Sequence, residues 1–239
     1  PAVFMDRIKK EGKLPLANMG IVEAEQVLDE VAPYTSAVNN VKGGQPLRSL
    51  PILYQHQQLS ISGQVSLYGD QYIFCVITKS ALKWIMKPWI EYLLALSQPE
   101  TTTLGFHFIY TVKEEPYTFS ISPGEISKQE ACTLINIMID SFLAGQASYL
   151  PFYPPFGELY FKTRKPGSTD PILSRERLYS EFETDKENAH KSPSSDMVYI
   201  EKSIHERSAN TGLFSEASVI QLNENIKKLL TPIYDKCNQ

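Results

Sequence analysis

Cysteine is scarce in this chain. Cys75, Cys132 and Cys237 are widely spaced, odd in number and form no CxxC pair. That excludes a disulfide framework or a zinc ribbon and reads as buried thiols in a reducing compartment. Histidine is sparse as well: His56, His107, His190 and His205 lie far apart and lack HExxH spacing. No apolar run reaches the ~18 residues of a membrane span. Positive charge is not in excess, since 23 Lys/Arg stand against 27 Asp/Glu for a net charge of −4. A general electrostatic grip on nucleic acid or anionic lipid is therefore not expected, although a local basic patch is compatible with the balance. Gly43-Gly44 has neither a following Lys-Ser/Thr nor a GxGxxG context, so it is no phosphate loop. There is no GxSxG elbow and no internal repeat. The opening residues Asp6, Arg7, Lys9, Lys10 and Glu11 do not read as a secretory leader. With Pro1 in place of a starting Met, the chain reads as a piece of something longer.

What is present is a globular composition. The 239 residues are 42% hydrophobic, 21% charged and 11% aromatic, which excludes a wholly disordered, collagen-like or coiled-coil chain. A chain of this length buries roughly 70% of its unfolded surface. Apolar residues at helical spacing predict a first helix over Ile21 to Val38, ended by Gly43-Gly44. The period then falls to two over Leu59 to Leu67, which predicts a half-buried strand. Leu50 to Tyr54 is a further strand candidate. Tyr72 to Thr78 is apolar on both faces and predicts a buried central strand. Leu82, Ile85, Met86, Trp89, Ile90, Leu93, Leu94 and Leu96 predict a helix over Ser80 to Ser97; either it kinks at Pro88, or its regular part begins there.

Thr103 to Val112 alternates again. A turn at 113–116 returns it as a hairpin through Tyr117 to Ser122. Ser127-Lys-Gln-Glu130 has the form of a capping box, and the stripe Ala131, Leu134, Ile135, Met138, Ile139, Phe142, Leu143 continues that helix to Gly145. Tyr149 to Phe156 is rich in proline and aromatics, and Glu158 to Lys162 reads as a short edge strand. Residues 162–207 hold nine Lys/Arg and nine Asp/Glu, about twice the chain's charge density, and read as exposed helices and loops with a disordered stretch over Asn188 to Asp196. Ser215 caps a last helix to Tyr234, with Val219, Leu222, Ile226, Leu229 and Leu230 inward. The expected fold is α/β in the α+β sense: a mixed sheet flanked by helices over residues 1–163, and a charged helical extension over 164–239 packing back on it.

Single residues offer little chemistry. His107 lies between Phe106 and Phe108 on a strand and reads as a satisfied structural histidine. Cys75, in the most apolar strand, reads as an inert core thiol. The order of elements carries more. Helix, three strands, helix, strand resembles the core of the PD-(D/E)XK restriction-endonuclease-like nucleases. Those enzymes converge carboxylates from two strands because Mg²⁺ is a hard cation that wants oxygen ligands. Gly63-Gln-Val-Ser-Leu67 resembles their G-x-V-D-L strand, with Ser66 in place of the acid. Cys75-Val-Ile-Thr-Lys79-Ser80 resembles D-x-K-S, with Ile77 at the acid position and Lys79 kept. Asp70 belongs to the turn. The resemblance implies a site without catalysis and without metal.

The combination resembles one family, the C-terminal domain of RecC, the gamma subunit of bacterial exodeoxyribonuclease V. Phe4-Met-Asp-Arg-Ile-Lys-Lys-Glu-Gly-Lys-Leu-Pro15 resembles the segment entering that domain. Ala81-Leu-Lys-Trp-Ile-Met-Lys-Pro-Trp89-Ile-Glu-Tyr-Leu93 resembles its W-L-E-H-L helix, with Tyr92 for His. Phe142-Leu-Ala-Gly145 and Leu150-Pro151 resemble the end of its next helix, and Asp196-Met-Val-Tyr-Ile200 its D-P-Y motif with Met197 for Pro. The resemblance implies a cytoplasmic bacterial protein, a non-catalytic scaffold that docks RecB- and RecD-like subunits in double-strand-break repair and contacts duplex ends and forked or single-stranded DNA near strand separation. It implies no cofactor; ATP hydrolysis and cutting would belong to the partners.

Two stretches are candidates for DNA contact. Lys79, Lys83 and Lys87 are spaced to line one helix face, either against backbone phosphates or as its solvated side. Lys162, Arg164 and Lys165 adjoin Phe152, Tyr153, Phe156 and Tyr160, which would stack an unpaired base or anchor a subunit, or else belong to an ordinary edge strand. Two further readings stay open: a divergent active nuclease drawing acids from Glu91 or Glu125, and an interaction module unrelated to DNA built around the charged tail.

Overall fold

The computed structural model describes residues 18–78, 84–147 and 216–237, with positions 7, 173, 174, 177 and 180. Helix α1 spans Asn18–Lys42. It tolerates the missing N–H of Pro33 and ends where Gly43 and Gly44 take positive φ values of 57° and 77°, a conformation glycine adopts without cost. Strands β1 (Leu47–His56) and β2 (Leu59–Tyr68) pair antiparallel over ten positions, from Leu47↔Tyr68 to His56↔Leu59. The expected strands are both present, each longer than its apolar signal.

β3 (Gln71–Cys75) meets β2 only at Tyr68↔Gln71 and runs parallel to β4 (Gly105–Val112) over its whole length. A parallel pair needs a crossover, supplied by α2 (Met86–Ser97). β5 (Glu115–Ile121) returns antiparallel through a turn with Lys113 and Glu114 both at positive φ, as a type I′ hairpin requires. The five strands lie in sequence order. α3 (Lys128–Ala147) and α4 (Glu216–Cys237) complete the described elements. The mixed α/β architecture matches expectation. α2 begins at Met86, not Ser80, and Pro88 stands in its first turn, where its missing N–H would be unpaired in any case. α3 begins as a capped helix, with the Glu130 N–H donating to Ser127 Oγ at 3.1 Å, and runs past Gly145 to Ala147.

Strand parity divides the sheet. Leu50, Ile52, Val65, Leu67, Tyr72, Phe106, Phe108, Phe119 and Ile121 share the face packed under α2 and α3. Phe106 is fully buried at the centre, with ring centroids of Tyr92, Tyr72, Trp89 and Phe119 at 5.2, 5.9, 6.0 and 6.0 Å. α4 adds Val219, Leu222, Ile226, Leu230, Ile233 and Tyr234 to the same core. Asn223 of α4 bonds both the N–H and the C=O of Leu173, at 2.9 and 3.3 Å. α1 covers the opposite face, where Tyr34 and Thr111 share a buried hydroxyl contact of 2.8 Å.

Two expectations of burial fail. Phe142 is 56% exposed, because the inward face of α3 is Ala131, Ile135, Ile139 and Ser141. Cys75 is exposed and Ile73 and Phe74 half-buried, because β2 turns away and leaves that end of β3 uncovered. Truncating Phe106 to Ala should cost about 3–5 kcal/mol, the usual range for a buried ring; a shift in denaturant midpoint at unchanged slope is the measurement that checks it.

Candidate functional site at the split between β2 and β3

Val65 and Leu67 are buried, so the pleat forces Ser66 onto the opposite face, where it is exposed. Past Cys75 the chain keeps following β4: Val76 N–H donates to Ile109 O at 2.9 Å, and Thr111 N–H to Thr78 O at 3.2 Å. Tyr72 and Phe74 turn toward α2, Tyr72 donating to Glu91 at 2.5 Å and Phe74 stacking on Phe108 at 5.9 Å. Alternation puts Cys75 on the other side. β3 ends there, Thr78 N–H turns back to Val76 O at 3.2 Å, and Ile77 between them is 54% exposed. Ser66 on β2 and Ile77, two residues beyond β3, are thus both exposed, past the point where the strands part at Tyr68↔Gln71. A neutral hydroxyl is a weak ligand for a hard cation, and an alkyl chain is none.

The nearby acids are engaged elsewhere. Asp70, in the turn, takes Arg48 Nη2 at 3.2 Å, while Arg48 Nε donates to Gly69 O at 2.7 Å. Glu91 is on α2, across the sheet from Ser66, and has Lys87 at 4.0 Å besides Tyr72. Burial and the bond to Glu91 raise the pKa of the Tyr72 hydroxyl, which stays a donor. Glu125 accepts from the Ser122 N–H at 2.7 Å, and this bond, helped by Lys236, lowers its pKa. Among the described residues no three His, Cys, Asp or Glu side chains are grouped to hold a metal ion. Burial pushes the Cys75 thiol upward, away from the thiolate form.

Lys87 sits in the first turn of α2 with its side chain 73% exposed. Lys79 and Lys83 lie outside the described residues, as do Phe152, Tyr153, Phe156, Tyr160, Lys162, Arg164 and Lys165.

Several polar contacts join residues far apart in sequence and left no local signal. His107 Nδ1 meets Ser120 Oγ at 2.8 Å, and its Nε2 meets Gln71 Oε1 at 2.7 Å. Since Gln71 Oε1 only accepts, Nε2 carries a proton and a neutral ring leaves Nδ1 to accept from Ser120. A Cβ on residue 105 would meet that Gln71 amide and oblige it to shift away from His107. Buried Gln98 ends α2 and accepts from Leu53 N–H at 3.1 Å, while its backbone carbonyl takes Lys128 Nζ at 2.6 Å. Tyr54 donates to Asn136 Oδ1 at 2.7 Å, and His56 contacts Asp140 at 2.8 Å, so β1 is tied to α3. Burial, with Cys132 alongside, pushes the Tyr54 hydroxyl up to about 12.

A family model described as the RecC C-terminal domain matches residues 1–165. The chain belongs to the RecC C-terminal domain family. No curated protein matches it. Membership places it with RecC, the gamma subunit of exodeoxyribonuclease V, and so with the partner subunits of the RecBCD complex. Among the described residues no helix is long and apolar enough to cross a membrane.

Burial lowers the His107 pKa from its usual 6.5. The unfolded chain therefore binds a proton before the folded one does, and stability present above pH 6.5 is lost as pH falls toward the folded value. Denaturation between pH 7.5 and 5 should show that loss. His107→Gln should flatten it.

Proposed function

We propose that this RecC domain is a catalytically silent, nuclease-like scaffold that docks partner subunits and contacts DNA near strand separation. The observation that carries the reading is the pair Ser66 and Ile77. On the resemblance they stand where a PD-(D/E)XK nuclease draws its acids, both are exposed, and neither can serve as one. The order α1-β1-β2-β3-α2-β4 supports the likeness to that core, as does a third strand parallel to the fourth across a helical crossover. Family membership supports the partners: RecB- and RecD-like subunits that supply ATP hydrolysis and cutting. The candidate acids of an active alternative, Glu91 and Glu125, are bonded to Tyr72 and Ser122, not turned toward the Ser66 side.

The basic loci remain candidates for phosphate contact: Lys87 on α2, with Lys79, Lys83, Lys162, Arg164 and Lys165. Phe152, Tyr153, Phe156 and Tyr160 are the candidates for stacking a base or anchoring a subunit. A single phosphate contact reads no bases and appears as a change in salt dependence.

Reconstitution tests the proposal. RecC lacking residues 1–165 should fail to hold RecB and RecD in one complex, and the chain supplied in trans should restore capture and forked-DNA unwinding. The purified chain should not cleave DNA with Mg²⁺ or Mn²⁺. Cleavage abolished by substituting Asp70 or Glu91 would sink the silent reading. In the assembled complex, Lys87→Ala should reduce the slope of log K against log salt by about one, with fork preference unchanged.

A further inference from the structure

The split between β2 and β3 leaves a main-chain edge whose hydrogen-bonding direction is legible. Leu53 of β1 sends its N–H away from β2, to Gln98 Oε1, and Pro51 has no N–H to give. Positions 51 and 53 therefore do not bond across the hairpin, and neither do their partners Gln64 and Ser62. Alternation extends this to Ser60 and Ser66. These four residues direct their backbone N–H and C=O groups away from β1, toward the side on which β3 departs. Tyr68, next in the same alternation, meets Gln71 there. Just past β3, Val76 N–H bonds to Ile109 O of β4, so by alternation Ile73 and Cys75 direct their main-chain groups to the split from the other side. Among the described residues nothing bonds the outward backbone groups of Ser60, Ser62, Gln64 or Ser66.

That edge is exposed, about 20 Å long at ~3.4 Å per residue, and uncharged. Its side chains are Ser60, Ser62, Gln64 and Ser66. Arg48 and Asp70, at the far end of the hairpin, are paired to each other. A phosphodiester backbone finds no cation there to grip. Donors and acceptors repeating every second residue match an extended polypeptide.

We infer that β2 is a strand-docking edge, completed by an extended segment of a partner subunit that pairs with the backbone of Ser60–Ser66. The segment alternates, with apolar side chains on the face of Ile61 and Val65 and polar ones on the face of Ser62 and Gln64. The inference rests on the docking reading and names where one contact is made.

Hydrogen exchange on full-length RecC, free and in assembled RecBCD, tests it. The amides of Ser60, Ser62, Gln64 and Ser66 should slow by about tenfold or more on assembly, while those of Ile61, Gly63 and Val65, already bonded to β1, change little. Gln64→Lys, which leaves the backbone intact but adds a charge to the edge, should weaken subunit capture. Ser62→Pro, which deletes one outward N–H without touching the β1 ladder, should do the same. Unchanged exchange in an assembled complex overturns the inference and leaves the docking reading standing. Slowing by forked DNA alone, or by raising the concentration of free RecC, overturns it in favour of a nucleic acid or a second copy. Assembly unaffected by removal of residues 1–165 sinks the docking reading by itself.

Discussion

β3 gives its main chain to β4, and much of the molecule follows from that allegiance. The strand is only five residues long and leaves β2 after a single pair. Pairing in parallel with β4 obliges the chain to cross over, and α2 is that crossover. Two neighbouring mid-helix residues tie it to both sides of the crossover. Tyr72 on β3 reaches Glu91 at mid-helix, and Tyr92 donates to Leu104 O just before β4 at 3.3 Å. Trp89 and Tyr92 of the same helix close over Phe106, so the aromatic centre exists because the crossover lands there. Gln98 then ends the helix and turns its amide to the outer edge of β1. The same departure of β3 opens the split.

The split constrains chemistry as well as shape. A hard cation there would need carboxylates from both strands within one coordination sphere. Ser66 and Cys75 there are not carboxylates, nor is Ile77 beyond β3, and the closest acid in sequence, Asp70, is held by Arg48 in the turn. Glu91 and Glu125 serve the fold: the first accepts from a buried tyrosine, the second fastens the loop before α3 and meets Lys236 of α4 at 3.9 Å.

Much of this was legible in the sequence because it is local. The alternation of Leu59 to Leu67 announced β2, and Ser127-x-x-Glu130 announced the start of α3. Gly43-Gly44 ended α1, and the stripe Val219, Leu222, Ile226, Leu229, Leu230 is buried on α4. Other features were not local. Tyr72 to Thr78 is apolar throughout, yet whether a neighbour covers it depends on the path of β2, which no spacing within β3 encodes. Cys75 was misjudged for that reason. Phe142 continued a helical stripe, but its exposure depends on how far the packed elements extend. The contacts of His107, Gln98 and Tyr54 bridge 13 to 82 positions and have no periodic signature. At the site, sequence identified which residue types stand at 66 and 77; only the fold shows that both are exposed and that β2 and β3 part after a single pair.

Loss of the acids and gain of a docking edge are physically compatible on the proposed reading. A carboxylate at position 66 would remain solvated or hold a cation, and burying it beneath an added strand would carry a large desolvation cost. A serine hydroxyl is far cheaper to cover and can donate to the incoming chain. At position 77 an alkyl side chain, half in water, gains by being covered. On that reading, two residues that cannot bind a metal also pose no electrostatic obstacle to closing the split with polypeptide. Open main-chain edges on soluble proteins are usually blunted by charge or proline. β1 has Pro51 and the Gln98 amide on its outer edge. β2 carries neither along Ser60 to Ser66, which is the asymmetry expected if one edge is protected and the other is kept for a partner.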